Sequence, residues 1–330
     1  MNTIPTAPVT DPEPSLLRFV RGETIAEGLD RVLAIQFDIG LALGAATRPE
    51  QAAAVHATRK AIKRLRSMLR LVRDQLPDVV YYPDNATLRL VAAELGSIRD
   101  SWVMANTLDQ LVTDDPDLSH AAAALTERLT HRYEAESQTL LENEASIASI
   151  VERLGNVKSR SARWTVVAGT ADTPLPHEFA SIGPGLLRVY KRSRQGMKIV
   201  THSPTITLLH AWRKRAKYLR HQIEALNVLD PPGLAPIEAD LELLTDLLGD
   251  DHDLAVMGAR LNSDGPLTRG IELDLILDAV GDKRFRLQAE AAELGSALFT
   301  NPASGFLDHI GGLWVYAPDS SERVAIPPQT

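Results

Sequence analysis

The sequence contains no cysteine, which excludes disulfides and thiolate metal sites. No segment has the uninterrupted apolar length of a membrane span. The N-terminus lacks the basic region and apolar run of a signal peptide, so a cytoplasmic location is expected. Alternating strand patterns are scarce: Trp164-Thr-Val-Val-Ala168 and Leu313-Trp-Val-Tyr316 are short apolar runs that stand alone. No Walker-type phosphate loop and no His-x-x-x-His metal spacing is present. The most informative absence is of acids. Residues 55–73 contain seven Lys/Arg and no Asp/Glu, and residues 179–223 contain ten and none. Net charge is −8, so the rest of the chain is strongly acidic, with 18 basic and 43 acidic residues. A positive focus inside an acidic shell attracts anions to one place and repels them elsewhere.

What fills the acid-free stretches is a doubled motif. His56-Ala-Thr-Arg59-Lys60-Ala-Ile-Lys63-Arg64-Leu65-Arg66 is answered by His210-Ala-Trp-Arg213-Lys214-Arg-Ala-Lys217-Tyr218-Leu219-Arg220, 154 residues on. Leu95-Gly96 through Asp100 is answered by Leu248-Gly249 through Asp253 at an offset of 153, and His131-Arg132-Tyr133 by Lys283-Arg284-Phe285 at 152. Ordered matches at a slowly drifting offset indicate an internal duplication with small loop indels.

Start signals divide each half into four helices. Thr24-Ile-Ala-Glu27 reads as a capping box. Pro49 precedes the first basic helix, Asp84 or Asn85 is expected to cap the third, and Asp115-Pro116 opens the fourth. In the second half Gly183-Pro184, Ser203-Pro204 and Pro236 open three helices, and Thr268 to Leu298 forms the last. The expected organisation is all-α: a disordered segment 1–19, helical halves 20–155 and 183–300, a connection 156–182 and a tail 301–330. Apolar residues recur at helical spacing, and a hydrophobic content of 44% supports a packed core.

At about 100° per residue, His56, Arg59, Lys60, Lys63, Arg66 and Arg70 share one face, and Ile62, Leu65 and Leu69 lie largely on the other. His210, Arg213, Lys214, Lys217, Arg220 and His221 share a face in the second copy, opposite Trp212, Ala216 and Leu219. Arg215 sits near the apolar side, where a carboxylate partner is expected. The preceding helix adds Arg188, Lys191, Arg192 and Lys198. A solvated helix face mixes signs, because like charges one turn apart repel. Here they stack without relief, as a repeating anionic ligand would require. His56 and His210 fit two roles, donation to phosphate or a structural bond to a neighbouring helix. Arg132 and Arg284 join the candidates because they recur at matching positions, and Asp100 and Asp253 are expected to orient basic side chains.

These motifs resemble the CHAD family, the conserved histidine α-helical domain, over residues 20 to 300. The resemblance rests on the two His-x-x-Arg helices and the two Leu-Gly-x-x-x-Asp elements. It implies two four-helix bundles about a pseudo-twofold axis, with a central basic groove or pore. It implies binding of inorganic polyphosphate and association with polyphosphate granules in bacteria, without catalysis and without cofactor or metal. Two departures stand out: His252 replaces Arg99, and Tyr218 replaces Arg64. The family often follows a triphosphate-hydrolysing tunnel domain, whose alternating strands are not visible here. Rival readings are a phosphohydrolase or phosphotransferase built on Asp250-Asp251-His252-Asp253, a nucleic-acid binder stacking bases on Tyr190, Trp212 or Tyr218, and a scaffold for an acidic segment.

Overall fold

The computed structural model describes residues 14–47, 50–97, 100–113, 115–141, 144–170 and 172–316. Thirteen helices follow one another in these residues. They are α1 (Pro14–Leu17), α2 (Ile25–Leu41), α3 (Gln51–Leu71), α4 (Asp78–Ser97), α5 (Asp100–Val112), α6 (Pro116–Leu141) and α7 (Glu144–Ser161), then α8 (Gly183–His202), α9 (Ile206–Leu226), α10 (Pro231–Ser263), α11 (Gly265–Thr268), α12 (Leu273–Leu298) and α13 (Ala303–Tyr316). Among the described residues there is no strand; the run at Trp164 to Ala168 makes one isolated bridge, Val166 with Pro174.

Several helix starts are where local chemistry puts them. Thr24 and Glu27 close a reciprocal capping box at the head of α2. Asp115 accepts from the backbone N–H of Leu118 at 3.0 Å and so caps α6. The cap of α9 is Thr205, two residues beyond the expected Ser203-Pro204. Pro49 lies outside the described residues. Two expected starts are corrected in the same way. α4 begins at Asp78 and α10 at Pro231, so Pro83 and Pro236 lie inside their helices. A proline there orphans the carbonyl four residues back. Those residues, Val79 and Pro232, are exposed, where water has access to the orphan. Asp84 is consequently no cap. It is 2% exposed and accepts from Trp164 Nε1 at 3.0 Å and Arg160 Nη2 at 2.7 Å.

Each half carries more helix than expected. α7 packs on α2 and α4, and α13 packs on α8. The expected tail is therefore ordered over Ala303–Tyr316, anchored by Phe306 and Ile310, which are buried. Residues 14–19 are tied down too: Leu17 and Phe19 are buried, and Phe19 N–H donates to Ala225 O at 2.9 Å. The expected connection begins inside α7, which runs to Ser161.

α2, α3, α4 and α7 pack as one bundle and α8, α9, α10 and α12 as another, joined where α3 meets α9 and α8. The apolar interior follows a different division. One core draws on both bundles, from Ile25 and Leu69 to Leu219 and Ile310. A second, smaller core joins α5 and α6 to parts of α10 and α12, through Leu108, Leu125, Met257 and Ile276. Full burial of each such side chain stabilises by about 1.5–3 kcal/mol. The α3–α9 contact is polar at its heart. Ser67 Oγ donates to Tyr218 O at 2.7 Å, and Gln222 Nε2 donates to Ser67 O at 3.1 Å. These bonds fix the mutual register of the two basic helices.

Candidate anion-binding site

Packing α3 on α9 turns two cationic faces toward each other's edges. Lys60 of α3 lies near enough to Lys217 of α9 to disfavour its charge, as do Arg213 and Arg220. Burial is the larger cause, and together they bring the Lys217 ammonium down to about 8, against the pull of Asp246. The two helices thus converge on one cationic surface.

The Leu-Gly elements explain how the motif arginines are held. Arg59 lies across α4 beside Gly96, and its Nη1 donates to Ala92 O at 3.2 Å. Arg213 lies across α10 beside Gly249. A Cβ at Gly96 would stand 3.0 Å from Arg59 Nη1, and one at Gly249 would stand 3.0 Å from Arg213 Nη2. A side chain at either position would press on the guanidinium and make it shift off the helix backbone by a few tenths of an ångström. The same pairing of arginine and glycine occurs at both motifs.

On the other edge of the α3–α9 contact the arginines gather round tyrosines. Arg70 lies 4.1 Å and Arg66 5.8 Å from the Tyr218 ring centre. Asn85 Oδ1 accepts from Arg66 Nε at 3.3 Å and Arg70 Nη2 at 3.1 Å. Arg70, Arg73, Arg188, Arg192 and Arg215 line a small recess with Tyr81. Burial lowers the pKa of Arg66 and Arg215, and neighbouring arginines add to it. Arg215 is thereby corrected: among the described residues no carboxylate pairs with it, and it faces Arg70 and Arg192.

His210 stacks on His252 of α10, ring centres 4.1 Å apart and planes at 30°. Burial first, then His252, Lys214 and Arg213, hold His210 down at about 4. His252 is lowered likewise by burial and Arg213. Both rings are neutral near pH 7, and among the described residues neither buried Nδ1 has a hydrogen-bond partner.

The family model of the CHAD domain matches residues 35–262, well over half of the chain. The chain belongs to the CHAD family. A solved CHAD domain from the plant Ricinus communis superposes with a TM-score of 0.56 at 17% identity, covering 94% of this chain and 99% of that one. That likeness shows the fold, all-α and CHAD-like. No curated protein matches the chain.

Within this CHAD fold the expected site residues separate by position. Lys60, Arg213, Lys217 and Arg220 meet where α3 faces α9, Arg59 lies against α4, Arg66 and Arg70 lie by Tyr218, and His56 and Lys63 of α3 are half-buried while Lys214 of α9 is exposed. Several of the expected residues are already engaged. Arg220 pairs with Glu242, and Arg188 with Asp74. Arg132 bonds Asp264 at 2.7 Å and Arg284 bonds Asp251 at 3.0 Å, both beside the smaller core. Lys191, Arg192 and Lys198 are exposed on α8. Asp253 makes no hydrogen bond to a basic side chain among the described residues; Asp251 does the anchoring instead. The side chain of Asp100 lies outside the described residues. The Asp250–Asp253 run diverges, with Asp251 on Arg284 and Gln288 and His252 on His210.

His221 is corrected most clearly. It is 6% exposed, because α3 covers it, and its Nδ1 is 3.0 Å from Glu224 Oε2. Arg64, 7% exposed, completes the cluster at 3.5 Å from Glu224 Oε1. Burial dominates at His221 and lowers it from 6.5 to about 4. Glu224 is lowered to about 2, His221 and Arg64 outweighing its burial. In both groups the unfolded chain takes up protons first as pH falls, so the stability from His221 is present above 6.5 and lost on acidification toward 4, and that from Glu224 is present above 4.5 and lost toward 2. The melting temperature is expected to drop across that window, with a shallower drop in His221→Asn. Equal slopes in both proteins would show that His221 does not carry the effect.

Proposed function

We propose that this CHAD protein binds inorganic polyphosphate without turning it over, along the α3–α9 surface, and that this binding directs it to polyphosphate granules. The family as a whole is linked to polyphosphate. The observation that carries the reading is the convergence of Lys60, Arg213, Lys217 and Arg220 from two helices on one surface. Cations held this close disfavour one another, and a polyanion removes that cost. On the other edge of the α3–α9 contact, the recess of Arg70, Arg73, Arg192 and Arg215 adds further cations beside Tyr81. Arginine forks take phosphate oxygens in pairs, and lysine adds a compact charge. We leave His221, Arg132 and Arg284 out of the proposed ligand contacts, because their own partners hold them elsewhere.

A nucleic-acid ligand is favoured less. Tyr190, Trp212 and Tyr218 are buried, and Tyr190 stacks on Phe306 at 4.0 Å, so none offers a face to a base. Among the described residues no helix is long and apolar enough to cross a membrane.

Titration with polyphosphate at rising salt tests the reading. Counterion release makes affinity fall by about 1,000-fold between about 50 and 200 mM salt for six phosphate contacts. A flat response overturns the surface as the site. Steady release of orthophosphate with magnesium present would show a catalyst. Gly249→Ala probes the geometry: pushing Arg213 off α10 is expected to weaken binding by about tenfold, the worth of one charge-assisted bond, at unchanged helicity by circular dichroism.

A further inference from the structure

α8 does not present one cationic face but two. Arg188 and Arg192 turn toward the arginine recess on α3 and α9. Lys191, Arg194 and Lys198 lie about 90° further round the helix and line a cleft against α13, with His202 and the start of α13 at Ala303. The cleft is shallow and open to solvent, and no acidic residue lines it.

Its walls are fixed. Arg194 Nε donates to Phe299 O at 2.9 Å, which sets the guanidinium at the end of α12. Tyr190 Oη donates to Asn301 O at 2.9 Å and holds the α12–α13 connection. His202 Nδ1 lies 2.8 Å from Lys198 O, so the proton on Nδ1 is donated to that carbonyl and Nε2 faces away from it. Among the described residues no carboxylate pairs with Lys191, Arg194 or Lys198, whereas Arg188 and Arg220 each have one. Three cations around a cleft, Arg194 anchored and Lys191 and Lys198 exposed beside it, none of them neutralised, are a site for an anion.

We propose that the α8–α13 cleft is a second phosphate-binding site, separate from the α3–α9 surface, which takes a free oligophosphate or a further segment of a long polyphosphate chain. This rests on the polyphosphate reading above for its ligand. A long chain engaging both places gains from effective concentration, and a short one does not.

Calorimetry with tripolyphosphate and with long-chain polyphosphate tests it. Lys191→Glu/Lys198→Glu changes exposed side chains only. It is expected to remove one equivalent of tripolyphosphate relative to the wild type, and to weaken long chains by at least about tenfold. Arg213→Glu/Lys217→Glu is expected to keep the equivalent that the first variant loses. An unchanged stoichiometry and unchanged long-chain affinity in Lys191→Glu/Lys198→Glu overturns the second site and leaves the first reading standing. Loss of tripolyphosphate only in Lys191→Glu/Lys198→Glu, with Arg213→Glu/Lys217→Glu like the wild type, supports the cleft and overturns the α3–α9 surface.

Discussion

Arg213→Glu/Lys217→Glu is expected to lose polyphosphate binding at the α3–α9 surface while its helical content stays that of the wild type. Each charge-assisted bond to phosphate contributes about 1.5–3 kcal/mol. Reversing two cations therefore weakens binding by about 100- to 10,000-fold. The effect is concentrated at these positions because they lie where α9 faces Lys60 of α3. Glutamate is a good helix former, so the backbone has no reason to change. Binding measured by calorimetry alongside circular dichroism separates the outcomes. Retained affinity with intact helicity would place the ligand elsewhere. Arg213→Lys is the finer probe, since it keeps the charge and gives up the planar fork laid beside Gly249.

The largest expected loss of stability comes from a residue of the same motif that never meets the ligand. Arg64→Ala leaves Glu224 buried with His221 as its remaining partner. Breaking a buried ion pair from one side costs about 3–5 kcal/mol, which lowers Tm by roughly 4–7 °C in a chain of this size. Polyphosphate affinity of the folded variant should match the wild type, because Arg64 is 7% exposed and directed into the core. Thermal melts and calorimetry together decide this. A variant with normal Tm and lost binding would assign Arg64 to the ligand. Adjacent positions 63 and 64 thus serve opposite purposes, one turned to the surface and one holding α3 to α9.

Much of this was legible in the sequence because it depends on neighbours within a turn or two. The Thr24 capping box, the Asp115 cap and the two basic helices are local statements, and they hold. What escaped depends on partners far along the chain. A helical projection gives each side chain an angle but not what stands opposite. His221 shares the angle of Lys217, yet α3 covers one and leaves the other half-open. Arg215 looked inward and meets arginines of α3 and α8. Arg132 and Arg284 recur faithfully, but Asp264 and Asp251 reach them through tertiary packing. Arg73 and Arg194 were visible only as members of the acid-free stretches, a signal of charge without direction. α7 and α13 were missed for a related reason: their apolar faces are complementary to α2 and α8, and only the assembled fold shows it.

The smaller core has a consequence for how the chain is made. Its first contributors, Met104, Leu108, Leu118 and Leu125, emerge from the ribosome long before Met257, Ile276 and Leu287 exist to cover them. The α5–α6 hairpin must therefore wait, apolar side uncovered, through the synthesis of more than a hundred residues. Long-range closure of this kind is slow, and the waiting intermediate is where aggregation competes with folding. Neither half can complete this core alone, because the side chains that fill it come from both.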